Sequence, residues 1–141
     1  MGVLVLKEFD MSNVSGFSTT VIAALSTSQI QSLTTADIVS LTTAQVAALT
    51  TDQVAALKTN QIAVLTTSAV AALTTLQVAA IETADVAALK TSQVQALTTA
   101  GTAALTTAQV QALTTSAVAA LQMSQVEVLT TDQGEALTTA Q

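Results

Sequence analysis

The side chains that could act on another molecule are few. Nine carboxylates and three lysines (Lys7, Lys58 and Lys90) are the whole charged complement, and histidine, cysteine and proline are absent. Imidazole general bases, thiolate nucleophiles and the nitrogen and sulfur ligands of transition metals are therefore excluded. No enzymatic activity, cofactor, metal or small-molecule substrate is expected. Carboxylates come closest in sequence at Glu127, Asp132 and Glu135, and again at Glu82 and Asp85. Neither group has EF-hand spacing, and both read as a solvated charged face. With a formal charge of −6, the chain lacks the cations that phosphate binding needs and is repelled by anionic headgroups. Nucleic acid is not an expected partner.

Two uncharged polar sets recur instead. Threonine doublets such as Thr42-Thr43, Thr50-Thr51 and Thr106-Thr107 are followed at fixed distance by Gln45, Gln53 and Gln109. A row of carboxamides can recognise a polymer, or it can form a buried ladder that satisfies backbone groups left open at helix breaks. Regular threonines on a flat, weakly charged surface suit lattice water, which makes ice binding one expectation to test. The same doublets also suit helix caps, because a threonine hydroxyl accepts from first-turn amides.

The spacing of these residues exposes the organisation: the chain repeats every eight residues. From residue 41 it reads LTTAQVAA, LTTDQVAA, LKTNQIAV, LTTSAVAA, LTTLQVAA, IETADVAA and onward, and the frame extends back to Met1 without a slip. The 141 residues are 17 octads and a five-residue remainder, Leu137 to Gln141. Position 1 is Leu in 14 of 18 octads, position 3 is Thr in 15, and position 5 is Gln in ten. Charges sit mostly at positions 2, 4 and 7: Lys58, Glu82, Lys90, Asp52, Asp132, Glu127 and Glu135.

One continuous helix is incompatible with this period. Eight residues overshoot two turns by about 80°, so the leucine column would circle the helix. A β-strand puts Leu and Val of each octad on opposite faces, which leaves a β-solenoid as the runner-up. A short helix restarted in every octad places positions 5, 6, 8 and the next 1 on one side and the charged positions on the other. The expected fold is all-α: an α-solenoid of short Thr-capped helices, one per eight-residue repeat. Isolated helices this short are marginal, so neighbouring octads must stack.

The expected core is Leu41, Val46, Leu49, Val54, Leu57, Ile62, Leu65, Val70, Leu73, Val78, Leu105, Val110, Leu113 and Val118. Thr42, Thr43, Thr50, Thr51, Thr106 and Thr107 are the expected caps. The spacing T-x-x-Q favours position 2 as the cap, whereas Lys58, Glu82, Lys90 and Gln122 at position 2 favour position 3. Two to four octads per superhelical turn are expected. A 48-residue echo (Thr35-Ala36-Asp37 against Thr83-Ala84-Asp85, and Ser68-Ala69-Val70 against Ser116-Ala117-Val118) fits two or three. Residues 1–16 read as degenerate N-terminal capping repeats and 17–141 as the solenoid proper. Gly101, Thr102 and Gly134 mark expected local irregularities. Val3, Leu4, Phe9 and Leu137 mark ends that could assemble.

The segment Leu49-Thr50-Thr51-Asp52-Gln53-Val54-Ala55-Ala56-Leu57 resembles the first helix of TAL-effector repeats. The base-reading loop and second helix of that family have no counterpart here, so DNA recognition does not follow. The LTTxQVAA array also resembles octapeptide-repeat tracts of large bacterial secreted and cell-surface proteins. That likeness implies an extracellular or surface location, with the cytoplasm as the alternative, since Met1 to Glu8 is too short for a signal peptide. No membrane span is expected, because polar residues interrupt every apolar run. The reading is a non-enzymatic structural repeat, a rod, spacer or self-assembling filament or adhesin-stalk module, whose partner is itself. The alternative is a module binding ice, glycan or peptide through its threonine and glutamine columns.

Overall fold

The computed structural model describes residues 11–139 and Gln141. Each octad breaks its own helix, and the break needs neither glycine nor proline. Leu49 is extended (φ −59°, ψ 138°), as is Thr50 after it (φ −74°, ψ 162°), and Thr51–Ala56 then coils as a helix. The leucine amide turns back to the carbonyl three residues earlier, as Leu57 does to Val54 at 3.2 Å. Among the described residues no φ is positive, so two extended residues per octad suffice to turn the corner. This is why Leu and Thr can occupy a corner where an αL residue would demand glycine.

A 3₁₀ turn, Met11–Gly16, precedes fifteen short α-helices, and no described residue is in a strand. The helices stack in three columns. The first holds α1 (Thr19–Ala24), α4 (Thr43–Ala48), α7 (Thr67–Ala71), α10 (Thr91–Ala96) and α13 (Thr115–Ala119). The second holds α2 (Thr27–Ser32), α5 (Thr51–Ala56), α8 (Thr75–Ala80), α11 (Thr99–Ala104) and α14 (Met123–Glu127). The 3₁₀ turn begins the third, followed by α3 (Thr35–Ser40), α6 (Thr59–Ile62), α9 (Thr83–Ala87), α12 (Thr107–Ala112) and α15 (Thr131–Ala136). Every helix packs on the one three octads away. The solenoid therefore completes a turn every three octads, and the echo noted in the sequence spans two turns.

Positions 6 and 1 fill the interior as one continuous cluster from Val14 to Ala117. Of the expected core, every residue from Leu41 to Leu113 is buried, while Val118 is half-buried against the cluster's edge. Position 8 is mostly half-buried, and positions 2, 3 and 4 face outward. The octads with Gly101-Thr102 and Gly134 differ from the expected irregularity. Their helices, Thr99–Ala104 and Thr131–Ala136, keep the common six-residue length. Thr102 is fully buried and its hydroxyl donates to the Thr98 carbonyl at 3.0 Å, so a polar side chain occupies a valine position without an unmet hydrogen bond. No helix among the described residues is long and apolar enough to cross a membrane.

Candidate functional site

The feature repeated most often is a corner built around the position-5 glutamine. Gln53 stands at the third residue of α5, where its backbone amide donates to the Thr50 hydroxyl at 3.1 Å. Its Oε1 accepts from the Thr50 amide at 2.9 Å, closing a capping box. The rest of the carboxamide points one layer down. There Nε2 donates to the Ile22 carbonyl at 2.8 Å and the Leu25 carbonyl at 2.7 Å. One neutral side chain thus satisfies an open amide at one helix start and two carbonyls at a helix end below, one of which also accepts from the Leu25 amide.

The bonds of the carboxamide recur in register at Gln45, Gln61, Gln77, Gln93, Gln109, Gln125, Gln133 and Gln141. Each reaches the carbonyls 31 and 28 residues earlier at 2.6–3.1 Å. Except for the half-buried Gln141, these glutamines are buried. With their bonds committed to the backbone, they form the amide ladder and leave no recognition row. That removes the glutamine half of the binding-module expectation.

Between the two cap positions left open by the sequence, the fold selects position 2. Thr42, Thr50 and Thr106 have extended backbones, and their hydroxyls accept from the third helical residue at 3.1–3.2 Å. Thr43, Thr51 and Thr107 are instead the first helical residues and are exposed. Lys58, Glu82, Lys90 and Gln122 also occupy cap positions and cap with no side-chain hydrogen bond.

Cap and ladder compensate for each other along the chain. Octads whose position-2 side chain makes no cap bond, at Lys58, Lys90 and Gln122, carry Gln61, Gln93 and Gln125, whose Oε1 accepts from the cap amide at 2.8–2.9 Å. Octads without glutamine, at Val21, Asp37, Ala69, Gly101 and Ala117, carry a Ser or Thr hydroxyl cap. Octad 81–88 alone among those with described helices has neither device, since Glu82 caps nothing and Asp85 stands at position 5.

Asp85 corrects the reading of Glu82 and Asp85 as one solvated pair. Glu82 is exposed, but Asp85 is only 4% exposed and its Oδ1 accepts from the Thr59 hydroxyl at 2.7 Å. Its column gave the signal: position 5 is buried in every octad from 41–48 to 129–136. Among the described residues no group of three or more acidic, histidine or cysteine side chains could hold a metal. Of the expected assembly residues, Val3, Leu4 and Phe9 lie outside the described residues. Leu137 is half-buried at the end of α15.

The three-octad turn also sorts the charges, which no reading of one octad could do. Octads of the first column carry Lys90 alone, and those of the second carry Asp52 and Glu127. Described octads of the third hold Asp37, Lys58, Glu82, Asp85, Asp132 and Glu135. A family model described as ALTTAQ repeat matches residues 12–43, 22–59 and 78–115, together more than half of the chain. Neither the curated proteins nor the solved structures contain a match.

Proposed function

The chain belongs to the ALTTAQ repeat family, and from that premise we propose that it is a non-enzymatic structural element whose work is done by its length. It serves as a rod, spacer or self-assembling filament or adhesin-stalk module, at the surface of a bacterial cell or outside it, with further copies of itself as partner. The observation that carries this reading is the ladder: the same glutamine joins one layer to the next at nine corners. A scaffold assembled from identical local bonds grows by adding layers, at roughly 9 Å per three octads if helices stack at ordinary spacing. Inserting a copy of residues 41–64 would lengthen the particle by that increment in small-angle X-ray scattering, and an unchanged longest dimension would end the rod reading. Light scattering with electron microscopy tests self-assembly. Fibres or concentration-dependent mass are expected, and strict monomers at every concentration would remove that part.

A second reading has one observation in its favour. The position-3 threonines are exposed, and of those in the described residues only Thr59 uses its hydroxyl in a hydrogen bond. The most regular polar column of the surface is thus left to solvent, which suits a module binding ice or glycan. Thermal hysteresis measured on the purified chain decides the ice version, and its absence ends it.

A further inference from the structure

The geometry points to a cation site at the Asp85 corner, formed by oxygen ligands from two successive layers. By the register that the nine glutamines follow, the carbonyls beneath position 85 are those of Val54 and Leu57. At glutamine corners an N–H donor meets this carbonyl pair at 2.6–3.1 Å. Here the residue at that place in the register is a carboxylate, which accepts and cannot donate when ionised.

Its direction is fixed by Thr59, two residues beyond Leu57, whose hydroxyl donates to Oδ1 at 2.7 Å. The other copy of the same tripeptide behaves differently. Asp37 folds back on its own cap, accepting from the Thr34 amide at 2.8 Å and the Thr34 hydroxyl at 2.7 Å. Octad 81–88 has Glu82 at the cap, so that hydroxyl is missing and Asp85 reaches downward.

With the carbonyls placed by that register, the corner offers a buried carboxylate, a hydroxyl oxygen, the Leu57 carbonyl and the remaining lone pair of the Val54 carbonyl, which also accepts from the Leu57 amide. The carbonyls close α5, where the helix dipole adds partial negative charge. An oxygen-only set takes a hard cation, held between layers where the glutamine nitrogen sits elsewhere. An aspartate is one methylene shorter than a glutamine, which leaves space at that place. The ion would add a second tie to the layer below, beside the Asp85–Thr59 hydrogen bond. With a single formal charge among the ligands, affinity is low, on the order of 10⁻³ M for Ca²⁺, in the range of weak extracellular modules.

The test is the thermal midpoint of the full chain titrated with CaCl₂ or NaCl at constant ionic strength, set by choline chloride, alongside Asp85→Gln and Thr59→Val. The expected result is a saturable rise with Ca²⁺ in the parent chain, half-complete on the order of 1 mM. Asp85→Gln should abolish it, and Thr59→Val should shift it several-fold to higher concentration. An equal, saturable, Asp85-dependent rise with Na⁺ would keep the site and assign it to a monovalent ion. Isothermal titration calorimetry with CaCl₂ gives a stoichiometry of one if Asp85 is responsible, and serves if a variant folds poorly. A Ca²⁺ response undiminished in Asp85→Gln would place the ion on exposed carboxylates such as Asp132 and Glu135 and overturn the proposal. No response to either cation would do the same.

Discussion

The corners at Gln93 and Ala117 lie one layer apart in the same column and are built in opposite ways. At the first, Lys90 has no hydroxyl to cap α10, and Gln93 supplies everything: Oε1 accepts from the Lys90 amide, and Nε2 reaches the Ile62 and Leu65 carbonyls below at 2.9 and 2.8 Å. At the second, the Thr114 hydroxyl accepts from the Ala117 amide at 3.1 Å, and alanine contributes only apolar contact. The comparison separates two functions that most octads combine. One is local, starting a helix; the other is between layers, tying a helix start to a helix end in the turn below. An octad keeps its place with either one.

Removing the only device should therefore cost more than removing one of two. Gln93→Ala removes three hydrogen bonds to backbone groups, the Lys90 amide and the Ile62 and Leu65 carbonyls, and should destabilise by about 3 kcal/mol, read from the shift in urea midpoint. Gln77→Ala, in an octad that retains the Thr74 hydroxyl cap, should cost about 2 kcal/mol. Equal losses in the two variants would break the idea that cap and ladder compensate. Thr114→Ala should cost about 1.5 kcal/mol and Thr106→Ala, where Gln109 also holds the cap amide, about 0.5 kcal/mol. Ala117→Gln converts one kind of corner into the other and should raise stability by about 1 kcal/mol. Last, Thr107→Ala changes an exposed residue outside the cap, and its midpoint should stay within about 0.5 kcal/mol of the parent.

How much of this was legible depended on the range of the interaction. The octad, the restarted helix and the Leu and Val columns follow from local periodicity, and the burial of Leu57 and Ile62 needs nothing beyond it. The glutamine ladder was legible as a possibility, because an uncharged residue in a constant column must satisfy backbone groups or face a ligand. Its partners were not, since reaching Ile62 from Gln93 depends on three octads completing a turn. Nothing within one octad sets that number, and only the long-period echo touched it. The choice of cap was hidden for a related reason. Lys58, Lys90 and Gln122 at position 2 looked like evidence against a cap there until Gln61, Gln93 and Gln125 were seen to hold the amides of those three residues at the same helix starts. Asp85 was misjudged by its charge and by its neighbour Glu82, although its column already placed it inside.

Layers of three octads are what the ladder requires, and the absence of cysteine from the chain makes a direct measurement simple. Spin labels attached to cysteine pairs at exposed position-7 alanines report distance by dipolar broadening in continuous-wave electron paramagnetic resonance. Ala47 and Ala71 lie three octads apart, Ala71 and Ala87 two, and Ala47 and Ala79 four. The three-octad pair should show strong broadening, since stacked helices lie about 8–10 Å apart, and both other pairs should show clearly less. Stronger coupling in the two-octad or the four-octad pair would set that number of octads per turn, and would contradict the ladder on which the rest depends.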